Sequence, residues 1–224
     1  MKEFIEYPDA DMMMLDLANT LAGSLEMTLQ THETASLCVP GGTTPGPIFD
    51  SLCAADLDWA RVTILLSDER WVPESSPRSN TTLLMHRLCV GRAAAAKIAP
   101  LYMQADTPED ALEELIEGIT PVLPISVLLL GMGVDMHTAS LFPGADQLDA
   151  ALRDDAPHLM AMRAPGAPEP RITLTAPVLA GAMETHIVII GDEKRAALER
   201  AQHLSPQAAP VSVVLPNATV HWAP

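Results

Sequence analysis

Three short stretches of this 224-residue chain gather the side chains able to do chemistry. The first to weigh is Gly131-Met132-Gly133-Val134-Asp135-Met136-His137-Thr138-Ala139-Ser140, where a histidine stands directly behind an apolar run and a Gly-x-Gly turn. An imidazole can take a proton from water near neutral pH and hand it back, so His137 is the candidate general base. A lone histidine is ordinarily structural, and its setting is what separates His137 from the others. His86 and His203 fall in helical patterns, His32, His158 and His186 near element ends, and His221 close to the terminus. Asp135 either caps the turn that follows it or orients polar ligand groups.

The second stretch, Ser67-Asp68-Glu69-Arg70-Trp71-Val72-Pro73, sets two carboxylates beside an arginine at the end of an apolar run. An arginine there can hold a phosphate through two parallel hydrogen bonds, with Asp68 as an acidic neighbour. The plainer alternative is a solvated pair of little energetic weight. Ser79 and Asn80 then open the next helix, and capping is their expected role. The third stretch is Pro40-Gly41-Gly42-Thr43-Thr44-Pro45-Gly46. Gly41 and Gly42 let backbone N–H groups approach an anion and Thr43 and Thr44 add hydroxyl donors, although such a turn also serves as a simple strand-to-helix connection.

These stretches need elements to hold them. Met13, Leu17, Leu21, Leu25 and Leu29 recur every four residues, which predicts an amphipathic helix over 11–31. Apolar runs at 35–40, 61–67, 125–131 and 185–191 read as buried strands, joined by a short strand near 98–103 and by two further candidates, HLMAMRA and RITLT. Helices are expected at PGPIFDSLCAA, near 79–90, near 108–118, at APVLAGAM and at DEKRAALERAQ, the last capped by Asp192. The alternation predicts an α/β fold: one domain over 1–224 with a mostly parallel, Rossmann-like sheet flanked by helices. In such a sheet the three chemical stretches follow strand ends and share one edge, where ligands bind.

Composition narrows the partners. The formal charge is −16, so the field of the whole chain repels nucleic acid and anionic membranes, and a small anionic substrate would need a local cluster of the scarce cations. The cysteines, Cys38, Cys53 and Cys89, form no CxxC and are odd in number, which suits a reducing compartment. The amino-terminal segment lacks a basic-then-apolar leader, and no apolar run reaches the ~20 residues of a membrane span. The expectation is a cytoplasmic protein, monomeric or weakly self-associating, with neither a nucleic-acid nor a membrane partner.

Taken in order, VPGGTTPGPIFDSL, VTILLSDERWVP followed by SN, VLLLGMGVDMHTASLFPG and PEPRITLTAPVL resemble the motif set of the 6-phosphogluconolactonases, from about Ser36 to Gln202. The resemblance implies a fold related to glucosamine-6-phosphate deaminase and ribose-5-phosphate isomerase, hydrolysis of 6-phospho-D-glucono-1,5-lactone in the pentose phosphate pathway, and no metal or cofactor. It implies that His137 is the catalytic histidine and that Asp68 and Asp135 lie near the sugar. Arg70, Arg171 and the loop from Gly42 to Thr44 would bind phosphate. Two departures stand out. Met136 occupies a place where glycine is usual, so the loop is expected to do without a glycine-only backbone angle. A lysine often found shortly before the position of Arg171 is missing, leaving Arg163 and Arg171 as the nearby cations. Deaminases of the same fold follow their histidine with an Ile-Ala-Phe-Asn-Glu type of sequence, whereas this chain has Thr138-Ala139-Ser140-Leu141-Phe142. A non-catalytic sugar-phosphate sensor is the other alternative, opposed by the acidity of the chain and by the presence of His137.

Overall fold

A computed structural model describes residues 1–224. The chain opens with β1 (Glu3–Glu6), α1 (Ala10–Thr31), β2 (Ala35–Val39), α2 (Gly46–Leu52), β3 (Val62–Leu66), β4 (Asp68–Arg70), α3 (Asn80–Arg87), β5 (Lys97–Ala99) and α4 (Pro108–Ile119). It continues with β6 (Val127–Gly131), α5 (Leu148–Ala151), β7 (Leu159–Met162), β8 (Arg171–Leu174), α6 (Ala176–Ala180), β9 (Glu184–Ile190), α7 (Asp192–Ala201) and β10 (Ala218–Ala223). Seven strands form one sheet in the order β1-β10-β9-β6-β2-β3-β5, every pair parallel, and β4-β8-β7 form a small antiparallel sheet.

The apolar runs become strands because both faces of the large sheet are covered. All five residues of β2 are buried, as are Val127 to Leu130 of β6, and 56 buried side chains form one continuous core cluster. Along α1, Met13, Leu17, Leu21 and Leu25 have no exposed surface, while Asp9 caps the helix by accepting from the Met12 N–H at 2.8 Å. Strand order reverses between β2 and β6, the position where an open α/β sheet leaves a crevice at its carboxyl edge. Ser36 and Ser126 staple these strands at the other end, each hydroxyl accepting from the other residue's backbone N–H at 3.0 and 2.9 Å.

Several sequence expectations change. HLMAMRA and RITLT are strands, but they lie in the second sheet rather than joining the first: RITLT pairs antiparallel with β4 on one side and with HLMAMRA on the other. Asp68–Arg70, expected as loop, is itself that sheet's edge strand. Ser67 is the pivot: its N–H donates to Val39 O at 2.9 Å in the large sheet, and its carbonyl accepts from Leu174 N at 3.0 Å in the small one. Asp192 is the first residue of α7 rather than its cap. Gly191, at φ 91°, precedes the helix, and the Asp192 carboxylate sits in the first turn, where the helix dipole favours it. The terminal strands β1 and β10 are additions. No helix is long and apolar enough to cross a membrane.

Strand β10 also brings His221 into the interior, where Nδ1 meets Tyr7 Oη at 3.0 Å and Nε2 meets His186 Nδ1 at 3.0 Å. Tyr7 donates to Asp16 at 2.7 Å, and His186 Nε2 contacts Glu184 at 3.0 Å. Burial, with His186 alongside, pushes His221 down to about 4, and burial also lowers His186 despite the pull of Glu184. Unfolded histidines bind protons below about pH 6.5, while folded His221 stays neutral until about 4 and His186 is shifted the same way, so stability is lost as pH falls through that window. Between pH 7 and 5 the His221 contribution amounts to about 2 kcal/mol. Urea unfolding of wild type and His221→Gln at both pH values should show a smaller loss in the variant. Equal losses would remove His221 from the acid sensitivity.

Candidate active site

Side chains alternate across a strand, and in β4 this divides three consecutive charged residues between two tasks. Asp68 and Arg70 face one side and Glu69 the other. Glu69 has no exposed surface and no cationic partner. Its carboxylate instead accepts from Arg70 N at 2.7 Å, Asn80 N at 2.8 Å, Thr81 N at 2.7 Å, Thr81 Oγ1 at 2.7 Å and Ser79 Oγ at 3.1 Å. It thereby satisfies the amino-terminal N–H groups of α3 that the helix cannot, at the end where the dipole favours an anion. Ser79 completes the expected cap by accepting from Thr82 N at 3.2 Å.

On the other side of β4, Arg70 lies opposite Arg171 of β8 in register, and Asp68 opposite Thr173. The Asp68 carboxylate accepts from Ser140 Oγ at 2.6 Å and Ser67 Oγ at 3.2 Å, and lies 3.5 Å from Arg171 Nη1. Arg70 Nη1 donates to the Arg78 carbonyl at 2.9 Å. The Nε–H groups of both arginines are buried without a partner, an arrangement that costs free energy until an acceptor arrives.

The loop after β6 supplies the histidine. Asp135 Oδ1 lies 2.5 Å from His137 Nδ1 and accepts from His137 N at 3.2 Å, so Asp135 both closes the turn and holds the ring. With Nδ1 engaged by a carboxylate, Nε2 is the free nitrogen of the neutral ring. A side chain at Gly133 would collide with the His137 ring and the Asp135 carboxylate, which explains the Gly-x-Gly spacing. The other face of the imidazole stacks on Phe142, with centroids 4.1 Å apart and planes at 27°, and Arg171 lies 5.3 Å from the same ring centroid. Phe142 thus ties the histidine to the arginine pair.

Contrary to expectation, Met136 does adopt a left-handed angle, φ 67°, as does Ala139 at φ 49°. Such angles cost an L-residue about 1 kcal/mol or more. At Met136 they are held by Met136 N→Gly133 O at 2.9 Å, by Val211 N→Met136 O at 3.1 Å, and by packing of the side chain against the core.

A cleft of about 210 Å³ lies where these pieces meet, lined by Gly41, Gly42, Thr44, Asp68, Arg70, Asn80, Gly133, His137, Ala139, Arg171 and Lys194 among others. Thr43 and Asp135 do not line it. The Thr43 side chain is exposed, and Asp135 stands behind the histidine. No backbone hydrogen bond is donated by Gly41, Gly42, Thr43 or Thr44, so this turn presents a run of unused N–H groups, as an anion cradle does. Arg163 lies elsewhere, paired with Glu109 at 2.6 Å. Its place among the cations falls to Lys194, which the sequence pattern absorbed into an ordinary charged helix. Lys194 is in the first turn of α7, and burial lowers its pKa. A larger hollow between Thr120, Pro124, His158 and Pro177 has no Lys or Arg in its lining.

Fold and cleft together define an open α/β protein with a cationic crevice at the carboxyl edge of its sheet. More particularly, the chain belongs to the family described as Glucosamine-6-phosphate isomerases/6-phosphogluconolactonase, whose model matches residues 8–222. It is 39% identical over 216 residues to the 6-phosphogluconolactonase of Rhizobium meliloti (strain 1021), covering 93% of each chain. It is 40% identical to that of Pseudomonas aeruginosa, covering 93% of this chain and 89% of the relative. The crystal structure of a 6-phosphogluconolactonase from Shewanella baltica OS155 superposes with a TM-score of 0.96 at 30% identity, covering 100% of this chain and 98% of that one. A monomeric glucosamine-6-phosphate deaminase, 15% identical with a TM-score of 0.81 over 99% of this chain and 97% of that one, shares the fold.

Glu69→Ala would leave several buried donors unpaired and should cost about 3–5 kcal/mol in urea unfolding. A loss below about 1 kcal/mol would show that α3 is anchored by other contacts.

Proposed function

We propose that this chain hydrolyses 6-phospho-D-glucono-1,5-lactone to 6-phospho-D-gluconate, with His137 as general base. The observation that carries the reading is the pairing, in one cleft, of an imidazole backed by a carboxylate with two arginines whose Nε–H groups have no protein partner. A lactone ester needs an activated water and an anchored substrate, and these two groups answer those needs separately.

The phosphate is held by Arg70, Arg171 and Lys194, with the N–H groups of the Gly41–Thr44 turn beside them. Thr43 contributes through its backbone. Binding the remote phosphate fixes the carbonyl carbon near the histidine, converting binding energy into orientation. His137 Nε2 then takes a proton from water as its oxygen attacks C1, while Asp135 holds the ring through Nδ1 and stabilises the imidazolium. The carbonyl oxygen becomes an oxyanion. Ala139 lines the same cleft and its N–H donates no backbone hydrogen bond, which suits it to meet that charge. Collapse of the tetrahedral intermediate breaks the bond from C1 to the ring oxygen, which receives the proton from His137. The new carboxylic acid ionises on release. Asp68, paired with Arg171 and accepting from Ser140 Oγ, keeps the guanidinium oriented. A single domain over residues 1–224 would position all of these groups, a reading supported by one continuous core cluster.

The direct test follows consumption of freshly generated lactone at slightly acidic pH, where spontaneous opening is slow. Wild type should accelerate hydrolysis, and His137→Ala should lower kcat by about 100-fold or more with KM little changed. A correctly folded wild type that gives no acceleration would overturn the activity, and a fully active His137→Ala would overturn the role of the histidine. Lys194→Ala should act on the other half of the site, raising KM about tenfold or more with a smaller effect on kcat. An unchanged KM would take Lys194 out of phosphate binding.

A further inference from the structure

We propose that Asn80 determines specificity, its side-chain oxygen accepting a hydrogen bond from a hydroxyl on the ring of the bound sugar lactone. The inference rests on the lactonase reading of the same cleft. Asn80 begins α3, yet the helix does not use its side-chain oxygen as a cap. Its backbone N–H binds Glu69 at 2.8 Å, and the capping hydroxyl belongs to Ser79. Asn80 is a buried residue, 4% exposed, and lines the cleft with Asp68, Arg70 and His137.

Its orientation follows from one contact. Nδ2 donates to the Asp68 backbone carbonyl at 3.0 Å. A carbonyl can only accept, so the nitrogen must lie on that side and the oxygen on the other. Oδ1 then has no donor within the protein, and a second hydrogen on Nδ2 is also uncommitted. A side chain at Gly41 would overlap the Asn80 carboxamide, so the bare glycine of the first loop leaves room for an amide arriving from the second.

The remaining groups in the cleft leave Asn80 a distinct task. Arg70, Arg171 and Lys194 are donors only, and they face the phosphate. The Asp68 carboxylate is already engaged by Ser67, Ser140 and Arg171, and His137 is committed to water. A sugar hydroxyl that donates needs an acceptor not already taken by a protein donor, and Asn80 Oδ1, in the cleft wall with Asp68 and His137, is one. Once a ligand covers the cleft, Oδ1 is cut off from water and a missing donor is unfavourable, so the site discriminates against a ligand lacking that hydroxyl.

The test is a substrate-by-mutation cycle. Wild type and Asn80→Ala are assayed on 6-phosphogluconolactone and on its 2-, 3- and 4-deoxy counterparts, each prepared by oxidising the matching deoxyhexose 6-phosphate. Binding of the corresponding phosphogluconates is followed in parallel by calorimetry. In wild type, one deoxy compound should lose about tenfold in kcat/KM and in affinity. In Asn80→Ala the parent should fall by a similar factor, while that deoxy compound should suffer no further loss. Asn80→Ser, whose hydroxyl is too short to reach, should behave alike and serves if the alanine variant is too unstable to assay. Equal losses on all four compounds, or none on the parent, would overturn the assignment. If wild type binds the phosphogluconates but hydrolyses no lactone, the lactonase reading fails while the binding cycle still decides the role of Asn80.

Discussion

Two guanidinium groups facing each other across adjacent strands are the constraint around which this molecule is built. Arg70 and Arg171 are register partners in β4 and β8, and like charges placed so repel. Arg171 is eased by Asp68 at 3.5 Å and by the ring of Phe142. Arg70 has only the Arg78 carbonyl, and both Nε–H groups lack partners. A pair of partly buried cations with incomplete neutralisation lowers stability, so the surrounding structure must hold them in place. In a chain with a net charge of −16 this small positive region is also what draws an anion out of an otherwise repelling field.

What holds it is the departure of one strand from the parallel sheet. At Ser67 the backbone passes from the large sheet to the small one, and the pleat then sends Asp68 and Arg70 into the cleft and Glu69 back toward α3. Four donors from Ser79, Asn80 and Thr81 on Glu69 fix the strand to the helix that carries Asn80. Ser140 binds Asp68 and follows His137 by three residues, so the catalytic loop and the arginine pair share one buried network. Phe142 adds a second link through its ring. The strained angles at Met136 and Ala139 fall within that loop, where neighbours on several sides maintain them.

Much of this was legible in the sequence because buried parallel strands leave continuous apolar runs, as in Val127 to Leu130 and Ile187 to Ile189. The chemical residues followed those runs, so a shared edge placed His137, Arg70 and the glycine turn together, while Arg171 was reached only through the resemblance of its motif. Elements whose residues look polar were harder to see. Strand β4 is three charged residues long and reads as loop. Strand β1 begins and ends in glutamate, and β10 carries a buried histidine whose partners are far away in sequence. Lys194 was hidden for a related reason, since a lysine in DEKRAALER looks like a solvated helix face until the helix start is placed at the cleft. Hydrogen-bond economy escaped as well. Nothing in SDER separates the carboxylate that serves the site from the one that caps a helix until the direction of each side chain is fixed.

The claim that the arginine pair is held at a cost to stability in readiness for a phosphorylated ligand can be put to one measurement: thermal unfolding of wild type and Arg70→Met, each with and without 6-phosphogluconate. The account predicts that ligand raises the wild-type Tm, and that Arg70→Met raises the ligand-free Tm while losing most of the ligand-induced shift. A variant less stable than wild type without ligand, yet stabilised by 6-phosphogluconate to the full wild-type extent, would contradict it.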